Sequence, residues 1–338
     1  MERMNNFFCA DYSRKIGEDI IWSDANHSIY ILIECPTPWA PNAFDSISIP
    51  QKLKNLVYEM KRHQLSIQFL LIESDILRKK QETKVLIFDK EKEGLLKGYR
   101  KQEFNVETIE KVADVVSQYL VCEVPDCKSD KSKTRDILVC THGSHDQCCA
   151  RYGNPFYQQA LATVSDLSLS NVRIWKASHF GGHRFAPTII DFSEGRYYGV
   201  LDQESFKSIL TRTGDIKCLN RVYGGWGILS NQLQAMEREL IFQYGWDWFN
   251  YKVGGRILEQ YIEKNVSQAE LSFEKPDGSI YTYRAELVKD EYKTLQLSAS
   301  CNTLKESTFV KYSVENLSLC LYSEPVENLC FDSKKIVQ

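Results

Sequence analysis

The stretch SIYILIECPTPWA, residues Ser28–Ala40, decides the fold. Ser28 to Cys35 is almost without polar side chains and reads as a strand buried on both faces. It runs directly into a loop carrying proline and tryptophan, Pro36 to Phe44. Helical spacing follows over Gln51–His63, with Leu53, Leu56, Val57 and Met60 on one face. LSIQFLLIES (Leu65–Ser74) predicts a second buried strand, and Lys84–Phe104 a hairpin turning near Lys92–Gly94. Val106–Leu120 has the pattern of an amphipathic helix. Glu123–Lys133, with Pro125 and six charges, predicts a linker.

The pattern then repeats. Asp136–Cys140 closes a strand, and a loop through Cys149 leads to a helix expected at about Pro155–Ala162. NVRIWKAS (Asn171–Ser178) is a strand, Pro187–Leu201 a hairpin turning at Ser193–Gly195, and Glu204–Thr211 a helix. An offset of 105 residues lays IYILIEC on the strand ending at Cys140, and Ser66–Ser74 on Asn171–His179. Two copies of one strand–helix–strand–hairpin–helix unit follow. The expected class is α/β (α+β): tandem thioredoxin-like units, each an open sheet covered by helices, with a C-terminal extension. The expected divisions are 1–128, 129–222 and 223–338. In the last, Leu229–Asn250 is helical and aromatic, with Trp246 and Trp248 expected in the core. Ser267–Cys301 alternates like antiparallel strands with a turn at Pro276–Gly278.

Composition narrows the function. The 338 residues carry 42 Lys and Arg against 45 Asp and Glu, a balance that does not suit a nucleic-acid-binding protein. No apolar run approaches the roughly 20 residues that span a bilayer. Met1–Lys15 lacks the apolar core of a signal peptide, so a cytoplasmic protein is expected. There the 11 cysteines should not form a disulfide framework. Between positions 140 and 183 stand Cys140, Cys148, Cys149, His142, His145, His179 and His183, seven of the chain's 17 cysteines and histidines. That concentration is the mark of a site. Cys35, Phe44, Ser74 and Arg78 stand opposite Cys140, Cys149, His179 and His183 in the first copy. That copy keeps one potential ligand of four and is expected to act as a structural or docking partner.

Cys140 and Cys149 lie in one loop, His179 and His183 in another, each loop directly after a strand. Gly181 and Gly182 let the backbone turn tightly between the histidines. Two thiolates and two imidazoles suit structural zinc, although zinc pairs usually lie closer together on the cysteine side. They also suit a Rieske-type 2Fe–2S centre, although the Rieske sequence pattern is absent. Cys148 adjoins Cys149, and neighbours in an extended segment point opposite ways. His142 and His145 remain spare candidates. A thiol oxidoreductase needs a reactive cysteine with a resolving partner, and no Cys-x-x-Cys occurs.

CTHGSHDQCCARYGNP (Cys140–Pro155), WKASHFGGHRFAPTII (Trp175–Ile190) and YYGVL (Tyr197–Leu201) strongly resemble the sucrase/ferredoxin-like family. Stretches around Ile29–Ala40 and Asn220–Glu239 resemble it more weakly. The resemblance implies a thioredoxin-like ferredoxin domain with a 2Fe–2S cluster on Cys140, Cys149, His179 and His183. It implies one-electron transfer or redox sensing; no Rossmann or flavin fingerprint occurs, so a redox protein or a small-molecule donor is the expected partner, and the charge balance and apolar runs leave no role for nucleic acid or membrane. Arg184 is then a candidate hydrogen-bond donor or counter-charge beside the ligands. An electron carrier is expected rather than a catalyst. No carboxylate pair stands out in a motif suited to glycoside hydrolysis.

Overall fold

The computed structural model describes residues 7–21, 26–76, 82–91, 94–121, 134–192, 194–303 and 305–324. In the first half, α1 (Cys9–Ile16) precedes β1 (Ile29–Glu34), α2 (Gln51–Arg62), β2 (Ile67–Glu73), β3 (Thr83–Lys90), β4 (Tyr99–Val106) and α3 (Val112–Val121). The second half runs β5 (Arg135–Cys140), α4 (Gln147–Asp166), β6 (Val172–Ala177), β7 (Ile189–Phe192), β8 (Arg196–Tyr198) and α5 (Gln203–Thr211). Then come α6 (Leu219–Val222), β9 (Tyr223–Trp226), α7 (Asn231–Tyr244), β10 (Lys252–Tyr261), β11 (Val266–Glu274) and β12 (Ile280–Lys289). A hairpin of β13 (Leu295–Ser298) and β14 (Glu306–Phe309) precedes the long β15 (Tyr312–Ser323).

The repeat is real in the topology. Both halves give the same strand arrangement, β4-β3-β1-β2 and β8-β7-β5-β6, and the two join in one nine-stranded sheet with β9 at its edge. The seam is narrow: β2 and β6 pair only at Ile72–Ala177 and Glu73–Lys176. About this seam the half-sheets fold face to face. Phe88 of β3 stacks on Phe192 of β7 at 4.1 Å, and the hydroxyls of Tyr30 and Tyr197 meet at 2.6 Å. Tyr30 and Leu32 of β1 therefore enter the core shared with the second half, whereas Ile31 and Ile33 enter a second core with α2 and α3. Burial on both faces is why IYILIE shows no alternation.

Ion pairs brace the same interface. Asp136 of β5 is fully buried, forms an ion pair with Lys101 of β4 at 2.8 Å and accepts from Arg173 of β6 at 2.7 Å. Arg173 also reaches Glu103 of β4 at 2.9 Å. Burial alone would raise the Glu103 carboxyl, but hydrogen bonds from Arg173 and Lys84 pull it down to about 2. A depressed carboxylate stabilises the fold above its ordinary value near 4.5, and that contribution is lost as pH falls towards 2. Urea unfolding between these pH values should show stability falling with acid, and Glu103→Gln should flatten the fall. An unchanged slope would count against this network.

Three helices differ from expectation. The one expected from Val106 begins at Val112, because β4 and a 3-10 turn at Ile109–Lys111 occupy the first residues. The one expected over Leu229–Asn250 divides into α7 and a 3-10 segment, Gly245–Asn250. The helix expected from Pro155 begins eight residues earlier, at Gln147, with Pro155 inside it. Proline favours a first helical turn, but Asp146 supplies the actual cap, accepting from the Cys148 amide. The expected linker, most of the turn at Lys92–Gly94, Ser193 and Arg78 lie outside the described residues.

Trp248 is fully buried and donates to Glu237, while Trp246 is partly buried against the main core. β10, β11, β12 and β15 form an antiparallel sheet. The β13–β14 hairpin leaves that sheet and packs on the second half, where Arg184 donates to the Ser298 carbonyl at 3.0 Å. Among the described residues no helix is long and apolar enough to cross a membrane.

Candidate metal centre

Strands β5 and β6 are parallel neighbours, with Cys140 opposite Ala177. The loops that follow them therefore leave the sheet side by side. Asp146 ends the first loop by capping α4, and the first turn of that helix carries Cys148 and Cys149. This pair is helical rather than extended, and successive residues of a helix point about 100° apart. Cys149 turns towards Cys140, while Cys148 turns towards α1 and Cys301.

The second loop brings its histidines in by a sharp turn. Gly181 and Gly182 have φ of 101° and 66°, in the left-handed region that side chains resist. His183 then opens a 3-10 turn, His183–Phe185. Nδ1 of His179 lies 3.8 Å from Cys140 Sγ and 3.4 Å from Cys149 Sγ. The ligand atoms of these three residues lie within 4.8 Å of one another. The His183 ring stands further off, 6.0 Å from that of His179 between centroids. Its Nε2 is buried without a hydrogen-bond partner, 3.7 Å from an Asp146 oxygen. A cavity of about 200 Å³ borders both histidines, Gly181 and Gly182, with Ala299 and Phe309 also in its lining.

The electrostatics put Cys140 and His183 in their binding forms, whereas the contact with Cys140 and burial push the Cys149 thiol up. Burial would raise the Cys140 thiol, but hydrogen bonds from Cys149 and His179 outweigh it and hold it well below the usual thiol range. Burial lowers the His183 imidazole, more than the Asp146 carboxylate raises it, so the ring is held neutral. A neutral imidazole has a lone pair to give.

The spare histidines have other work. His142 Nε2 faces the Ala40 carbonyl at 2.8 Å, and its Nδ1 accepts from the His179 amide at 3.2 Å. With Nε2 as the donor, both nitrogens are used, so His142 positions His179. His145 Nδ1 faces the Pro41 carbonyl at 2.9 Å, and its ring stacks on His179 at 4.1 Å. Ser144 donates to the Trp39 carbonyl at 2.7 Å. The Pro- and Trp-bearing loop of the first half thus holds the ligand loop of the second. Arg184 is buried, and its guanidinium pairs with Glu18 at 3.0 Å and with Ser298. It braces α1 and the β13–β14 hairpin. Sequence reasoning passed over Asp146, although an Asp before a helical run is a capping signal.

Helix α4 sits close to β5 because residue 153 is glycine. A Cβ there would lie 1.9 Å from the Cys140 carbonyl oxygen. Gly153→Ala should push the helix, and Cys149 with it, away from Cys140, at about 1–3 kcal/mol of stability. A lowered urea midpoint checks this, and an unchanged midpoint would contradict it.

The family model described as sucrase/ferredoxin-like matches residues 20–225. No curated protein and no solved structure matches the chain.

Proposed function

The chain belongs to the sucrase/ferredoxin-like family, and from that premise we propose that it is an iron–sulfur protein of one-electron transfer or redox sensing, holding a 2Fe–2S cluster on Cys140, Cys149, His179 and His183. The observation that carries this reading is the meeting of two buried thiols and His179 at the ends of β5 and β6, with the unpaired buried nitrogen of His183 beyond them. A single zinc ion lies about 2.0–2.3 Å from each ligand, so its donors must all fall within about 4.6 Å of one another. His183 stands outside the group that meets within 4.8 Å. The wider set favours a larger object.

Such a cluster supplies a one-electron redox couple whose potential its ligands and surroundings set. The protein's part is to orient and to shield. His142 fixes His179 by holding its backbone amide, and Gly181 and Gly182 fix the separation of the two rings. Cys140 and Cys149 lie in the core, so water is excluded from the thiol side. His145 is exposed and stacked on the half-buried His179, and this histidine edge is where a redox partner would approach.

Purification without oxygen tests the reading. A red-brown protein with about two irons and two sulfides per chain is expected. A colourless protein with one zinc would overturn it.

A further inference from the structure

Three thiols outside the ligand set converge from distant parts of the chain. Cys9 opens α1, Cys148 lies in the first turn of α4, and Cys301 lies between β13 and β14. Cys148 Sγ and Cys301 Sγ are 3.2 Å apart. The Cys9 side chain is in hydrogen-bonding contact with that of Cys301. Cys9 and Cys148 are fully buried, and Cys301 is partly exposed. Two of the three, Cys9 and Cys301, fall outside the stretch that matches the family.

Backbone amides of α1 point at two of the sulfurs. The residue before α1, Phe8, offers its helix no side-chain cap. The exposed amides of that helix end turn to sulfur instead: Cys9 N–H donates to Cys301 Sγ at 3.3 Å, and Ala10 N–H to Cys148 Sγ at 3.4 Å. A helix N-terminus favours anions through its free amides and its dipole. A carboxylate stands with the sulfurs of Cys148 and Cys301. Asp146 is fully buried, and a carboxylate oxygen lies within 4.8 Å of both Cys148 Sγ and Cys301 Sγ. Its orientation is fixed, because it accepts from the Cys148 amide at 2.9 Å and from the Cys301 amide at 3.0 Å.

We propose that Cys148, Cys301 and Asp146 form a second metal site, for one divalent cation of the zinc class, separate from the set around Cys140; their donor atoms lie within 4.8 Å of one another, and Cys9 stands outside that group, against Cys301. Thiolate sulfur with one carboxylate oxygen is an ordinary zinc donor set. Once deprotonated, two thiolates and a carboxylate this close together in the protein interior would be held by a cation between them. A Cys148–Cys301 disulfide is the competing arrangement. The site would clamp the β13–β14 hairpin onto the helix that carries Cys149, with two amides of α1 against its sulfurs. The partly exposed Cys301 gives the ion its way in.

The test is metal analysis of the full-length protein, grown with added zinc and purified under reductant without oxygen. About one zinc per chain is expected beside the iron. Cys301→Ser should remove most of the zinc while the iron and the visible absorption stay. Cys148→Ser should do the same from the other sulfur of the site. The proposal is overturned if the parent protein holds no zinc, or if both variants retain it. Zinc that survives Cys301→Ser but disappears with Cys140→Ser would belong to the first set, and would overturn the iron–sulfur reading too. A Cys148–Cys301 disulfide in the intact mass of the parent protein would overturn this proposal alone.

Discussion

Cys149→Ser should strip the protein of its iron, from about two per chain to a small residue, whereas Cys148→Ser should leave the iron in place. The two residues are adjacent, so the contrast depends on direction alone. Cys149 packs in the core with Cys140, and its sulfur lies 3.4 Å from His179 Nδ1. Cys148 faces the other way, 3.2 Å from Cys301. Both side chains are buried in the same helical turn, so a loss of iron due to damaged packing alone would strike both variants equally. Iron, sulfide and visible absorption measured side by side decide the matter. Loss of iron in Cys148→Ser with retention in Cys149→Ser would reverse the assignment.

His183→Cys should keep a cluster but lower its potential, by on the order of 100 mV or more, since imidazole ligation separates Rieske-type centres from plant-type ferredoxins by several times that amount. The substitution replaces a neutral donor with an anionic one, which disfavours the added electron. The parent protein should also respond to pH. A ligated imidazole gives up its remaining proton more readily in the oxidised form, so alkali stabilises that form and the potential falls as pH rises. The limiting slope for one proton and one electron is about 59 mV per unit. His183→Cys removes one of the two imidazoles and should reduce the total fall. Redox titration from about pH 6 to 10 measures both effects, and a flat potential in the parent protein would oppose histidine ligation.

The strands and their doubling were legible because the apolar runs around Ile31, Leu70, Leu138 and Ile174 depend only on local burial. The seam between the halves was not. It consists of two residue pairs, and what stabilises it is Phe88 on Phe192 and Lys101 on Asp136, contacts between residues far apart in the chain. The start of α4 was misread because Pro155 imitates a first helical turn, while Asp146 looked like one more polar loop residue. That error mattered, since it placed Cys148 and Cys149 in a loop. The loops that bring Cys140 and His179 together were legible from their place after two strands, and Gly181 and Gly182 do turn the chain between the histidines. The support for those loops was hidden. His142 works through Ala40, 102 residues away, and Cys148 meets Cys301 across 153. Local spacing carries no trace of either contact.

The central claim is that two imidazoles share one site with two thiols. Pulsed electron paramagnetic resonance of the chemically reduced, full-length protein reads this directly from the nitrogens coupled to the unpaired electron. Two imidazole nitrogens with strong couplings are expected, and His179→Cys and His183→Cys should each remove one of them. A paramagnetic cluster without a strongly coupled nitrogen, or a spectrum unchanged by both substitutions, would contradict the account.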